Sequence, residues 1–453
     1  MTSIEETKAL APWTETLPSD WRATRLDAVA DVIFSNVDKH TIEGEVPVRL
    51  CNYVDVYKNE RITCRLDFME ASAELREIKK FQIQRGDVLA TKDSEEADDI
   101  AISALVAEDL PGVICGYHLA LIRPRFSTVS GPFLAWLHSS KSFRAQYEAN
   151  AVGVTRFGLS QYSFKAARVP LPPFHEQQRI AAYLDASCAA IDTAVSAKRR
   201  QLDTIDNLRK VIISKAVTQG LAPADKQVSS GKEWIGPVPA HWKLGKLKHL
   251  TSLIVDGTHI TPTYLPSGVP FLRVTDIQEE EINLNNVKFI SEEEHTLLCQ
   301  RSKAQRGDIL LSKNGTIGIT KVVDWDWKFS FFVSLCLLRP LKKLNPKYFQ
   351  YFFESSVVDQ QLFESSKKTS VTNLHLVKIR ELLITMPPIK EQELIIQYLD
   401  EKCNELSQIK LNISDQIQRI QDYRKSLIHE CVTGQRRVMD ADVALARRGR
   451  EAK

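Results

Sequence analysis

Pro172-Pro173-Phe174-His175-Glu176-Gln177 opens a stretch without proline or glycine that lasts until Gly220, and Pro387-Pro388-Ile389-Lys390-Glu391-Gln392 opens a second that lasts until Gly434. Proline closes an extended segment but does not continue a helix interior. Each stretch therefore reads as one helix of about 40 residues, roughly 60 Å long at 1.5 Å per residue. Alternating four- and three-residue steps pick out a mostly apolar seam from Leu184 through Cys188, Ile191 and Val195 to Ala216. A matching seam runs from Leu399 through Cys403 and Leu406 to Cys431. Seams at this spacing predict a coiled coil. Arg209 and Arg424 interrupt both seams at one shared place, whereas Lys198 and Lys410 are not matched. A polar seam residue sets register or faces a partner. The competing arrangement lays each helix on its own globular domain, which a helix this long outreaches.

Outward from these helices the whole chain repeats. Gln177 and Gln392 lie 215 positions apart (392 less 177), and Trp21 and Trp242 lie 221 apart (242 less 21). Leu17-Pro18-Ser19-Asp20-Trp21 returns as Val238-Pro239-Ala240-His241-Trp242, and Trp13 returns as Trp234. Gln84-Arg85-Gly86-Asp87-Val88-Leu89 returns as Gln305-Arg306-Gly307-Asp308-Ile309-Leu310, and Arg123-Pro124 as Arg339-Pro340. Tyr183-Leu184-Asp185 and Val217-Thr218 return as Tyr398-Leu399-Asp400 and Val432-Thr433. The order is kept throughout, and the period is far too long for a solenoid unit, so a domain has been duplicated. The first part of each repeat holds short β-branched and aromatic runs, such as Val46–Leu50, Asp87–Ala90, Phe271–Val274 and Asp308–Leu311, broken by Gly, Pro and Asn. That pattern predicts an irregular, β-rich α/β domain. The expected segments are 1–173 and 221–388 as the two globular domains, 174–220 and 389–436 as the two long helices, and 437–453 as a basic, disordered tail.

Composition narrows the class of function. At 43% hydrophobic the chain has enough apolar residues for sizeable cores, and its net charge of +3 argues neither for nor against nucleic acid. Eight cysteines show no CxxC pair and no zinc-ligand spacing with histidine. The polar start Met1–Glu6 does not read as a secretory signal, so a reduced, cytoplasmic protein is expected. The longest apolar stretch, Phe329–Leu338, is too short to cross a bilayer.

Three catalytic patterns fail on inspection. Leu171-Pro172-Pro173-Phe174 has the outline of an amino-methyltransferase motif, but Leu171, and Met386 in the repeat, cannot accept a hydrogen bond from a target amino group. Asp87 with Lys92, and Asp308 with Lys313, have the spacing of a nuclease motif. Ala90 and Leu311 stand where its second carboxylate belongs, and one carboxylate does not hold a metal. Gly315-Thr316-Ile317-Gly318 lacks the Gly-Lys-Ser/Thr of a phosphate-binding loop. The chain is expected to be non-catalytic.

Several of these motifs, taken together, in order and twice, resemble the specificity subunits of type I restriction–modification systems. They are Glu233 to Trp242, Arg306-Gly307-Asp308-Ile309-Leu310-Leu311-Ser312, Pro387 to Gln392 and the helix that follows. The resemblance covers nearly the whole chain. It implies two target recognition domains, each reading one half of an asymmetric split DNA site. It also implies that the two long helices pair antiparallel and set the gap between the half-sites. Methylation would belong to modification subunits, two of them, that use S-adenosylmethionine. Cleavage would belong to restriction subunits driven by ATP and Mg. No cofactor and no metal is expected in this chain.

Sequence-specific DNA binding needs cations on phosphates and polar side chains on base edges. In the second head three polar loops qualify: Thr258, His259 and Thr261 in the first, Lys313, Asn314 and Thr316 in the second, and Lys367, Lys368, Thr369 and Ser370 in the third. The first-head equivalents are Lys39, Lys92, and Thr155 with Arg156, of which Arg156 is the leading candidate. Asp93, Glu95, Glu96, Asp98 and Asp99 form an acidic run there. It is expected to point to solvent, the alternative being a carboxylate that accepts from cytosine N4. Any one loop taken alone also reads as a solvated turn. The competing function is a coiled-coil scaffold without DNA specificity.

Overall fold

A computed structural model of the 453-residue chain describes residues 11–125, 127–221, 226–279, 281–365 and 374–451. It divides into two compact units, one formed by the residues up to 198 together with those from 415 onward, the other by residues 199–414.

In the first unit a five-stranded sheet has the spatial order Ala30–Phe34, Leu119–Pro124, Val88–Thr91, Ser103–Val106, Arg61–Ile62. All its pairings are antiparallel except the last. Alternate residues of a strand point to opposite faces. Val88, Ala90, Ala120 and Ile122 enter one core, and Leu89, Leu119 and Leu121 enter another. Both faces are covered, which is why these strands read as continuous apolar runs. The second core lies against a three-stranded sheet in which Val46–Cys51 pairs antiparallel with Met69–Ala73 and parallel with Val113–Cys115. An antiparallel ribbon pairs Arg22–Arg25 with Arg168–Leu171, and its second strand leads into the first long helix.

The second unit repeats this plan. Its four-stranded sheet has the order Thr251–Asp256, Leu335–Pro340, Ile309–Ser312, Thr320–Val322. Ile309, Leu311, Cys336 and Leu338 face one core and Leu310, Leu335 and Leu337 the other. A three-stranded sheet again has one antiparallel and one parallel pairing, and a ribbon joins Lys243–Lys246 to Leu383–Met386.

The repeated motifs hold this frame. Asp87 is almost fully buried and receives two hydrogen bonds from the Arg123 guanidinium, at 2.9 and 2.7 Å, and one from the Gln84 amide. Asp308 does the same with Arg339, at 2.8 and 2.8 Å, and with the Gln305 amide. Gln177 and Gln392 are fully buried. Each accepts from one amide (Ser130 or Asn345) and donates to two carbonyls (Thr128 and Pro172, or Lys343 and Pro387).

The long helices span Phe174–Gln219 and Ile389–Val432, 46 and 44 residues. Gly220 and Gly434 follow their last turns at φ +78°, the left-handed stop that glycine adopts at least cost. The pairing is antiparallel: Arg424 forms an ion pair with Asp192 and Lys410 one with Asp206, so a rise of 14 positions on one helix (192 to 206) meets a fall of 14 on the other (424 to 410). The shared seam arginines tie the helices to globular elements. In the first unit Arg424 donates to Glu60 at 2.6 Å, and in the second Arg209 donates to Glu354 at 2.5 Å. The Val217 carbonyl, one of those a helix end leaves without an intrahelical partner, accepts from Tyr348 and Thr385 in the second unit.

One expectation is overturned here. Within the stretch 437–453, expected as a disordered tail, Asp440–Glu451 is helical. Val438 and Val443 are buried in the core of the first unit with Ala446 packed against them, and Arg437 bridges Asp20 and Glu176.

Candidate nucleic-acid interface

In each head the loop that carries a candidate lysine, Lys92 or Lys313, follows the same strand of the central sheet, Val88–Thr91 or Ile309–Ser312. The amide of Lys92 donates to the His118 carbonyl, and that of Lys313 to the Ser334 carbonyl. The carbonyls of the same two lysines accept from Leu159 and Leu374. Both lysines therefore occupy one repeated position, at the end of a central strand between two neighbouring segments.

That position turns their side chains inward, which corrects the expectation that both ammoniums face DNA. Lys313 is only 5% exposed and pairs with Asp256 at 3.0 Å, itself 6% exposed. Lys92 is half-buried. Its ammonium lies 4.3 Å from the Tyr117 ring centre and 5.0 Å from that of Phe34, and donates to the Ser35 carbonyl at 3.2 Å. Burial lowers its pKa from the ordinary lysine value. A cation so placed is already solvated by protein and has little reach to a phosphate.

Arg156 stands differently. Its side chain is 56% exposed and donates to Asp93 at 2.6 Å, while His118 holds the other oxygen of Asp93 at 2.8 Å. The guanidinium is anchored along one edge and leaves its remaining donors to solvent. Beside it lies a cleft of about 280 Å³ lined by Tyr53, Tyr57, Ser94, Glu95, Asp99 and Arg156. Tyr53 and Tyr57 stack at 5.5 Å, and the Tyr57 hydroxyl donates to Asp99 at 2.7 Å, a bond to an anion that raises the phenol pKa. The acidic run thus splits. Glu95, Glu96 and Asp98 are exposed, whereas Asp93 and Asp99 are held by partners within the head. Thr155 is exposed next to Arg156. Lys39 is exposed but apart, on a loop where His40 and Ile42 bond to Ser72 of the three-stranded sheet.

In the second head His259, Thr261 and Thr316 are exposed. His259 lies 3.8 Å from Asp256. The Thr258 hydroxyl is spent on the local turn, accepting from the Ile260 amide at 3.2 Å. Asn314 is half-buried, and its side-chain oxygen has no hydrogen-bond partner among the described residues. Lys367, Lys368, Thr369 and Ser370 lie outside the described residues. Sequence reasoning missed Tyr53, Tyr57, Tyr117 and His118. The signal available was the spacing of four between Tyr53 and Tyr57, which puts both rings on one side of the short helix Tyr53–Lys58. Nothing in the sequence pairs His118 with Asp93.

Frame and loops together define a tandem protein: two α/β heads on one plan, with different loops at the open end of each sheet, and a long helix after each head. The chain belongs to the family of the type I restriction modification DNA specificity domain, whose profile matches residues 18–201 and 240–419. It is similar to the type I restriction enzyme EcoBI specificity subunit of Escherichia coli, with 24% identity over 306 residues. That alignment covers 66% of this chain and 64% of the EcoBI subunit, just under two thirds of its length. It is also similar to the putative type I restriction enzyme MjaX specificity subunit of Methanocaldococcus jannaschii, with 22% identity over 437 residues, 93% of this chain and 95% of that protein. Among solved structures, a chain from a study of complex assembly and conformational transition of the type I R-M system aligns at TM-score 0.71 and 20% identity, over 92% of this chain and 98% of that one. The HsdS subunit from Thermoanaerobacter tengcongensis aligns at TM-score 0.51 and 19% identity, with the same coverage. At these identities the likeness is one of fold. Among the described residues no helix is long and apolar enough to cross a membrane.

Proposed function

We propose that this chain is the DNA-reading subunit of a type I restriction–modification complex, acting in the cytoplasm and without chemistry of its own. It binds an asymmetric, two-part site on double-stranded DNA, one part per head. It directs two modification subunits, which bring S-adenosylmethionine, and ATP- and Mg-dependent restriction subunits. One observation carries the reading. The buried clamps of the frame, Asp87 with Arg123 and Gln177, recur as Asp308 with Arg339 and Gln392, while the loops at the open end of each sheet differ in charge and residue type. A constant frame with divergent loops suits two heads that perform one task on two different sequences. Arg156, Thr155 and Lys39 in the first head, and His259, Thr261, Asn314 and Thr316 in the second, are the residues we assign to DNA. Arginine is the first choice for a guanine edge, since its fork matches O6 and N7.

The test is methylation-sensitive long-read sequencing of host DNA with and without the gene, the modification subunits being present in both. Loss of one split, asymmetric methylated motif is expected. An unchanged methylation pattern refutes the reading and favours a scaffold.

A further inference from the structure

The second unit carries a groove of about 860 Å³ that the DNA-reading role leaves unused. It lies between the ribbon that starts at Lys243, the loop around Lys342 and the entry to the second long helix. Its floor is apolar, with Leu244, Leu250, Met386, Pro387 and Ile389. Its rim is cationic. Lys246 is already matched by Glu381 at 2.6 Å and His241 by Glu391 at 2.8 Å. Lys243, Lys342, Lys343 and His249 are exposed and have no carboxylate partner among the described residues. The backbone beneath them is fixed, because the buried Gln392 side chain donates to the Lys343 and Pro387 carbonyls.

The same positions in the first unit are built otherwise. Asp20 stands where the second unit has His241, Arg25 where it has Lys246, and Ala28 where it has His249. Asp20 is taken by Arg437 and Arg25 by Asp27. Arg22, at the position of Lys243, is likewise an exposed cation, whereas Lys342, Lys343 and His249 are replaced by Ser127, Thr128 and Ala28, so these three unmatched groups belong to the second unit.

We propose that this groove docks an acidic, amphipathic segment of a modification subunit. The partner's identity rests on the function proposed above; the chemistry of the segment rests on the groove. An apolar floor gains from burying apolar side chains and gains nothing from a phosphate backbone, which argues against DNA as the occupant. Unmatched lysines around such a floor call for carboxylates on the partner, which steer association and fix its register. A segment with apolar anchors on one face and Asp or Glu on the other meets both demands.

The test uses the full chain with Lys342 replaced by a photoreactive benzoylphenylalanine, mixed with the purified modification subunit and, separately, with duplex DNA carrying the site. Irradiation is expected to cross-link the modification subunit at an Asp- and Glu-rich segment. Combining Lys243→Glu with Lys343→Glu is expected to weaken the complex at least tenfold at low salt and less at high salt, with DNA binding by the chain unchanged. Cross-links only to DNA, only to a second copy of the chain, or to nothing within a complex that still forms would each overturn the groove assignment and leave the DNA-reading role intact. A modification subunit that forms no complex with the chain overturns both.

Discussion

Replacing Gln392 by leucine tests the claim that the repeated Glu-Gln motif is a structural clamp. The glutamine is fully buried, and its three hydrogen bonds, at 2.8, 2.9 and 2.9 Å, join the Asn345 amide and the Lys343 and Pro387 carbonyls to the start of the second long helix. Leucine is close in volume, so little of the cost comes from a cavity. The cost comes from the groups left behind. A buried amide without a partner costs about 1–3 kcal/mol, and two carbonyls with a second lone pair still available add about 1 kcal/mol each. The expected loss is therefore about 3–5 kcal/mol. Gln177→Leu should cost the same within about 1 kcal/mol, because Ser130, Thr128 and Pro172 repeat the network.

Urea unfolding of the full chain, read by tryptophan fluorescence, measures both variants, and calorimetry assigns each loss to its unit. Gln392→Glu sharpens the test. A carboxylate has no donor for the two carbonyls, whereas its protonated form has one. The folded-state pKa of that glutamate is then raised above its unfolded value. Its stabilising share is present below the unfolded pKa and is lost as pH rises through the folded one, so the deficit of the variant should grow from about pH 4.5 to 7. A Gln392→Leu loss under about 1 kcal/mol, or a Gln392→Glu deficit flat with pH, would refute the clamp.

Burial holds the His138 imidazole at a pKa of about 4, below the ordinary histidine value of 6.5. The unfolded chain takes up that proton first, so this residue should cost the first unit about 3 kcal/mol as pH falls from about 6.5 to 4, at about 1.4 kcal/mol per pH unit. Parallel pH profiles for the wild type and His138→Gln would sink this account. A Cβ on Gly434 would lie 2.5 Å from Pro18, against 3.3 Å from Trp242 for one on Gly220, so Gly434→Ala should lower Tm more than Gly220→Ala; the reverse order counts against the packing. Arg156→Ala should weaken DNA binding about tenfold or more and relax methylation at one position of one half-site only, and equal relaxation of both halves would remove Arg156 from the first head's readout. Asp256→Asn should destabilise the second unit by about 3 kcal/mol or more because it strips a buried ammonium of its anion. Adding Lys313→Met should recover most of that loss, and a double variant no better than the single one contradicts the pairing.

The frame was legible because its parts are long or repeated. Two proline-bounded stretches of helical periodicity predict two long helices, and Gly220 and Gly434 mark their ends. The strands were legible as short runs, but their assembly was not. Asp87 and Arg123 lie 36 positions apart, and both were visible as repeats, yet nothing local says that one neutralises the other. The C-terminal helix is hidden because its basic, glycine-containing sequence masks a small apolar stripe, Val438, Val443 and Ala446, that has value only against the core it covers. The candidate site was least legible. Lys92 and Lys313 sit in polar, turn-prone stretches that look solvated, and only the backbone pairing at the strand end turns them inward.

Those two lysines also show how the heads differ without disturbing the frame. Position and backbone bonds are the same, but the charge is satisfied by different means: aromatic faces and a carbonyl for Lys92, a buried carboxylate for Lys313. An ammonium over aromatic rings keeps its charge without an anion, whereas a buried ion pair needs both members. Each solution draws on the neighbouring loops, Tyr117 in one head and Asp256 in the other. The strand end thus acts as a fixed socket, and its surroundings vary with the loops that leave the sheet there. Because Asp87, Arg123 and Gln177 lie away from the socket, and likewise Asp308, Arg339 and Gln392, the open end can change its residues while the buried clamps keep the head folded. That separation is what a protein needs if its DNA sequence preference is to change faster than its fold.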